Sequence, residues 1–202
     1  MGNSYLVEKS FDKEVYFYNI IYIEYNITKE YVNKIVLLTG VSWSGKTTLQ
    51  EELIHRGWAS PQHFTTRKPR GDEELDDYVF LTREQFLTKL GNWDFLEHME
   101  FNWAWYSISK FLPKMKNVVI IVDPEGRQQL TKKFKREWVE YKSYYLDIDK
   151  QTQTERLAKR GDEEETKKER SNDFDLFFPS PKCKILDWSL DATHLADIIE
   201  NK

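Results

Sequence analysis

From Lys34 onward the chain alternates short apolar runs with segments of helical period. IVLLT is followed by KTTLQEELIHR, NVVIIVD comes later, YYLDID is followed by KQTQTERLAKR, and KILDW by DATHLADII. This alternation predicts an α/β fold, a mostly parallel sheet with helices on both faces. Thr82 and Gln85 have capping-box spacing ahead of FLTKL, and Asp149 and Asp191 are placed to cap the helices that follow them. Between Ala59 and Ser109 the alternation lapses into proline, glycine and charge mixed with aromatics, as an inserted substrate-binding region would. Ahead of the core, EVYFYNIIYIEY at 14–25 is rich in β-branched and aromatic residues and predicts a long strand or a hairpin turning near Asn19. Residues 1–33 are read as a short β-rich N-terminal extension packed on a main domain at 34–202. No internal repeat or low-complexity tract breaks the pattern.

Composition narrows the class. The 202 residues suit one domain, or one domain with an insertion, and 40% apolar with 32% charged residues describe a soluble globular protein. The only cysteine, Cys183, excludes an intramolecular disulfide and a cysteine-based zinc site, which fits a reducing, cytoplasmic setting. No run approaches the roughly 18 apolar residues of a membrane span, and no secretory pattern opens the chain, so no membrane role is expected. A net charge of −4 gives no overall attraction to nucleic acid, so a polynucleotide partner is not favoured. The sequence carries no signature of oligomeric state.

The chemistry concentrates first in GVSWSGKTT, from Gly40 to Thr48. Gly40, Gly45, Lys46 and Thr47 fit the phosphate-loop pattern between a strand and an amphipathic helix. Glycines let the loop amides turn inward around phosphate oxygens, Lys46 neutralises the β and γ charges, and the Thr47 hydroxyl can hold Mg²⁺. Ser42, Ser44 and Thr48 complete the expected ATP-binding set. Trp43 occupies a variable position of the motif, where a large ring is expected to leave the backbone unstrained if it points outward. A second apolar run, VVIIVD, ends at Asp123, the expected partner of Thr47 in supporting Mg²⁺ and also a plausible cap for the helix starting at Pro124.

A longer stretch, HFTTRKPRGDEELDDYVF at 63–80, resembles the guanylate kinase family through Thr65, Thr66, Arg67, Pro69, Arg70, Asp77, Tyr78 and Phe80. The resemblance continues in FLEHMEFNWAWYS, through Glu97, Phe101 and Tyr106, and in TERLAKRG, and it covers roughly 34–170. It implies a kinase with a phosphate-loop core, a nucleoside-monophosphate-binding region at 58–109 and an arginine-bearing lid at 156–172. ATP would be the phosphoryl donor, Mg²⁺ the cofactor and small-molecule nucleotides the partners.

The residue types suit those tasks. Arg67 and Arg70, spaced by Lys68 and the rigid Pro69, can present forked donors to one phosphate monoester, with hydroxyls from Tyr78 and Tyr106. Arg160 and Arg170, with Arg156 less favoured, are expected to close over the phosphates from the lid. After Arg170 the chain departs from the family, whose long helix is cut down here to SNDFDLFFPSPK. The resemblance also sets Glu97 as the acceptor for a guanine's N1–H and N2–H. At the positions from which the family donates to O6 stand His63, which retains a donor, and Ile108, which has none.

The expected function is transfer of the γ-phosphoryl group of MgATP to a (deoxy)nucleoside 5′-monophosphate, GMP or dGMP first. A modified pyrimidine nucleotide, a hydroxyl on a modified base in DNA, and a non-catalytic phosphopeptide-binding module are the alternatives. An Ile108→Ser change is expected to improve GMP use by restoring a donor.

Overall fold

The computed structural model describes residues 32–69, 78–101, 103–113, 116–137, 139–159, 179 and 182–201. The strand or hairpin expected at 14–25 therefore lies outside the described residues.

Among the described residues four strands form the parallel core sheet: β1 (Val32–Thr39), β6 (Lys116–Ile121), β7 (Tyr141–Asp147) and β8 (Lys184–Asp187), in the order β6-β1-β7-β8. Both faces are covered, and β1 shows how. Val36 and Leu38 point into a cluster with Leu49 and Leu53 of α1 (Lys46–His55) and Leu195, Ala196 and Ile199 of α5 (Ala192–Glu200). Ile35 and Leu37 point the other way, against Leu130 and Phe134 of α3 (Pro124–Arg136). The period-2 alternation of a strand thus feeds two cores at once, which is why the four residues Ile35, Val36, Leu37 and Leu38 are all apolar. Each such Leu or Ile is worth about 1.5–3 kcal/mol of burial. Arg56 ties α1 to α5 through Asp197 and Glu200, at 2.6 and 2.9 Å.

After α1 the chain passes beside β6, where Ala59 pairs with Val118, and enters a second sheet. This sheet comprises β2 (His63–Thr65), β3 (Val79–Phe80), β4 (Phe95–Phe101) and β5 (Ala104–Ser109), in the order β3-β2-β5-β4. Phe64, Phe86 and Phe95 form its own aromatic core with α2 (Arg83–Gly91). The sheet is joined to the main body by Gln129 of α3, whose Nε2 donates to the His98 carbonyl at 2.8 Å.

The expected caps are in place. Thr82 and Gln85 form a full capping box, Asp191 accepts from His194 N, and Asp149 accepts from Thr152 N ahead of α4 (Lys150–Lys159). Among the described residues no helix is long and apolar enough to cross a membrane.

Candidate active site

The loop from Gly40 to Gly45 joins the C-terminal end of β1 to the N-terminus of α1. Two backbone demands fix its glycines. Gly45 caps α1 at φ 97°, a left-handed conformation, and a Cβ on Gly40 would lie 2.6 Å from the Leu146 carbonyl oxygen. Lys46 turns back over the loop, donating to the carbonyls of Gly40 and Val41 at 2.8 and 2.7 Å and to Ser44 Oγ at 3.4 Å. The first turn of α1 carries no acidic residue, so the positive end of the helix dipole faces the loop uncancelled. Ser44 is buried, Ser42 half-buried, and Thr47 and Thr48 stand exposed on that turn.

Trp43 corrects the expectation of an unstrained backbone: its φ is 70°, a left-handed conformation that costs a non-glycine residue about 1–2 kcal/mol. The surrounding contacts hold it there. Arg156 donates to the Trp43 carbonyl at 2.9 Å, and Gln153, only 1% exposed, donates from Nε2 to the Ser42 carbonyl at 3.2 Å. Gln153 and Arg156 lie three apart on α4, one helical face clamping the loop. The Arg156 guanidinium also stacks over Trp188, 5.5 Å from the ring centre. Gln153 was not legible in the sequence; a glutamine at i−3 from Arg156 on the segment after a core strand is the only signal it leaves.

Asp123 follows β6 at the same end of the sheet as the loop, because Val122 N donates to the Leu38 carbonyl at 3.0 Å. Its Oδ1 caps α3, accepting from Glu125 N at 2.7 Å and Gly126 N at 3.0 Å, and burial raises its pKa despite those bonds. Among the described residues no cluster of three or more metal-ligating side chains forms.

In the second sheet the register sets His63 opposite Ile108 and Ile108 opposite Glu97, one row across β2, β5 and β4. Directly opposed residues share a face, so the three stand on the same side. Glu97 is 7% exposed, and its Oε2 has no hydrogen-bond partner among the described residues. Burial, reinforced by the charges of Asp123 and Glu125, pushes its carboxyl up to about 8. His63 is pushed down to about 4 by burial, so its imidazole is neutral near pH 7. Its ring meets Tyr78 edge-on at 5.7 Å. Ile108, 1% exposed, packs into the α3-side core with Val118, Ile120 and Phe134.

Arg67, Tyr78 and Tyr106 are brought together. The Arg67 guanidinium lies over the rings of Tyr78 and Phe80 at 5.1 and 5.4 Å, and the Tyr78 and Tyr106 rings are 6.4 Å apart. Arg70, Arg160 and Arg170 lie outside the described residues, as does most of the expected lid. Gly126, missed in the sequence, abuts Glu97; a glycine in the first turn of a helix was the available hint.

Residues 32–177 match the family model described as "Guanylate kinase". A guanylate kinase of Onion yellows phytoplasma is 33% identical over 140 residues, covering 65% of this chain and 65% of the relative. One from Prochlorococcus marinus is 32% identical over 141 residues, covering 65% of this chain and 74% of the relative. The match thus spans just under two thirds of the phytoplasma protein's length. The solved structure of a guanylate kinase from Anaplasma phagocytophilum superposes with a TM-score of 0.61 at 19% identity, over 84% of each chain, and shows the shared fold.

Proposed function

The chain belongs to the guanylate kinase family, and from that footing we propose that it transfers the γ-phosphoryl group of MgATP to GMP or dGMP. The observation that carries this reading is the buried Glu97 Oε2, without a hydrogen-bond partner among the described residues, in the second sheet against the first turn of α3. A buried acceptor calls for donors, and guanine offers N1–H and N2–H side by side. Against the ionised carboxylate, adenine and cytosine would set an acceptor.

The remaining roles follow from chemistry. Lys46 and the loop amides, with Ser42, Ser44 and Thr48, hold the donor phosphates. The exposed Thr47 hydroxyl and Asp123, whose Oδ1 serves the helix cap, fit a Mg²⁺ ion held mainly by phosphate and water. That ion, when bound, neutralises charge on the donor phosphates. Arg67, Arg70, Tyr78 and Tyr106 orient the acceptor monophosphate, while Arg160 and Arg170 of the lid stabilise charge on the group in transfer. The acceptor phosphate is already an oxyanion, so no protein base is required. His63 faces the base from the other end of the row. A phosphopeptide-module reading is not favoured, because it gives the phosphate loop no task.

The test is an acceptor panel: pure protein, MgATP and each common ribo- and deoxyribonucleoside monophosphate, with diphosphate product measured. Guanine nucleotides are expected to lead. Preference for another base would overturn the base assignment, and absence of any product would overturn the kinase reading.

A further inference from the structure

Four successive carbonyls of the phosphate loop each accept from a side chain. Lys46 Nζ donates to those of Gly40 and Val41, at 2.8 and 2.7 Å. From α4, Gln153 Nε2 donates to that of Ser42 at 3.2 Å and Arg156 Nη1 to that of Trp43 at 2.9 Å. The loop is thus held by two devices, one within the motif and one from a helix more than a hundred positions along the chain.

A nucleotide acts differently on the two. The Lys46 ammonium has three protons and meets three loop acceptors, the third being Ser44 Oγ at 3.4 Å. A bond from Lys46 to a donor phosphate therefore displaces at least one of them. The α4 contacts persist, because they grip the loop through carbonyls that the phosphates do not need.

Those contacts also set the direction of the loop's amides. No described peptide bond is cis, and a trans peptide points its N–H opposite to its carbonyl. Gln153 therefore turns the Trp43 N–H away from α4. Arg156 does the same for the Ser44 N–H, which meets the Val41 carbonyl across the loop at 3.3 Å. Successive amides turned to one side make the concavity that takes phosphate oxygens. The conformation costs Trp43 its ordinary backbone, since φ 70° is left-handed and relaxes unless it is held.

The clamp is itself firmly seated. Gln153 is buried, so water does not compete for its amide. The Arg156 guanidinium is stacked over the half-buried Trp188, and a Cβ on Gly45 would lie 3.9 Å from its Nη1, which sets the group against the loop.

On the phosphate-loop part of the kinase reading, and independently of the acceptor base, we propose that Gln153 and Arg156, with Trp188 behind Arg156, are positioning residues of the donor site. They keep the loop amides aimed inward when Lys46 gives up its carbonyls for the donor phosphates. Arg156 acts through the loop and not as a lid arginine on the phosphates.

The test is calorimetric titration of the full chain with MgATP and, as a probe without a base, inorganic tripolyphosphate. Gln153→Ala and Arg156→Ala should each weaken both ligands about ten-fold, the factor matching the left-handed strain released at Trp43. GMP affinity should stay within two-fold, and thermal melting shows that the variants are folded. Arg156→Lys, which keeps a donor for the Trp43 carbonyl, should recover part of the loss. With Trp43→Gly in the background, where the left-handed backbone is unstrained, each loss should shrink to three-fold or less. Unchanged MgATP affinity in both folded variants would overturn the proposal, as would losses undiminished by glycine at 43. A loss in Arg156→Ala with none in Gln153→Ala would also overturn it, making Arg156 a direct phosphate ligand. A wild type that bound neither ligand would overturn the phosphate-loop reading and this proposal together. If these effects appeared in a protein that did not phosphorylate GMP, the clamp would stand and the acceptor reading would fall.

Discussion

Glu97 and Gly126 meet where the second sheet touches the start of α3: a methyl group on Gly126 would lie 3.0 Å from Glu97 Oε2. The same methyl would be 3.3 Å from Asp123 Oδ2. The bare α-carbon therefore lets two carboxylates converge on the first turn of a helix. Close approach is what this glycine supplies.

Gly126→Ala should displace the Glu97 carboxylate by a few tenths of an ångström. Misplacement by about 1 Å at a reacting site costs on the order of 10²-fold, so a smaller shift should raise the KM for GMP roughly three- to ten-fold. The KM for ATP should stay constant. Melting temperature should hold or rise, since alanine is favoured over glycine in a helix by up to about 1 kcal/mol. Steady-state kinetics with a melting curve checks this, and an unchanged GMP KM would remove Gly126 from the site.

Lys46→Ala should lower turnover at least ~10²-fold while leaving the fold intact, because it removes charge stabilisation at the transferring phosphate. GMP binding by calorimetry should be unaffected. Near-normal turnover in the folded variant would refute the donor-site assignment.

Arg67 stacks on Tyr78 and Phe80 and so presents its guanidinium in a fixed plane. Arg67→Ala should weaken GMP binding about ten-fold or more, from a charge-assisted contact worth roughly 1.5–3 kcal/mol, with ATP affinity within a few-fold of wild type. Arg67→Lys should recover only part of it, since an ammonium lacks the planar fork. A collapse of ATP binding instead would mean that donor and acceptor sites were exchanged.

The parallel sheet was legible because buried strands are apolar on both faces, and the caps were legible because Thr82, Asp123, Asp149 and Asp191 act within a few residues of themselves. Contacts between distant segments were not. Gln153 reaches Ser42 across 111 positions, and nothing local in either segment announces it. Trp43 is held left-handed by that same clamp, against the preference of an isolated tryptophan. Ile108 shows the opposite limit. Its place in the row with Glu97 and His63 matches the expected base site, but its side chain fills the core. Ile108→Ser is therefore expected to cost about 2–4 kcal/mol of stability, from burial of a hydroxyl and lost packing, in place of a simple gain in GMP use.

Trp103, at the tip of the β4–β5 hairpin, is 95% exposed and takes φ 63°. Its ring contributes little burial, while its backbone sits where glycine is at home. Trp103→Gly should stabilise the protein by about 1 kcal/mol, a rise of roughly 2–4 °C in Tm for a chain of this size. A drop in Tm would show that the indole makes a contact beyond the hairpin.

The last prediction turns on the protonation of Glu97, whose carboxyl is pushed up from 4.5 to about 8, first by burial and then by Asp123 and Glu125. Near pH 7 the nucleotide-free protein therefore holds this group mostly protonated, whereas a guanine with two N–H donors requires the carboxylate. Binding GMP must expel the proton. Below about pH 8 each unit of acidification should weaken GMP binding by up to ten-fold, with a plateau above. Glu97→Gln should bind GMP more weakly and without that slope; the monophosphate's own titration is common to both proteins and cancels in the comparison. Stability of the free protein runs the other way. Between about pH 4.5 and 8 the native state holds a proton that the unfolded state has lost, so stability should fall as pH rises through that window. In Glu97→Gln this contribution should vanish. Calorimetry in buffers of different ionisation enthalpy reads the expelled proton directly. A GMP affinity in the wild type that tracks Glu97→Gln from pH 6 to 8, with no proton released, would separate Glu97 from the base.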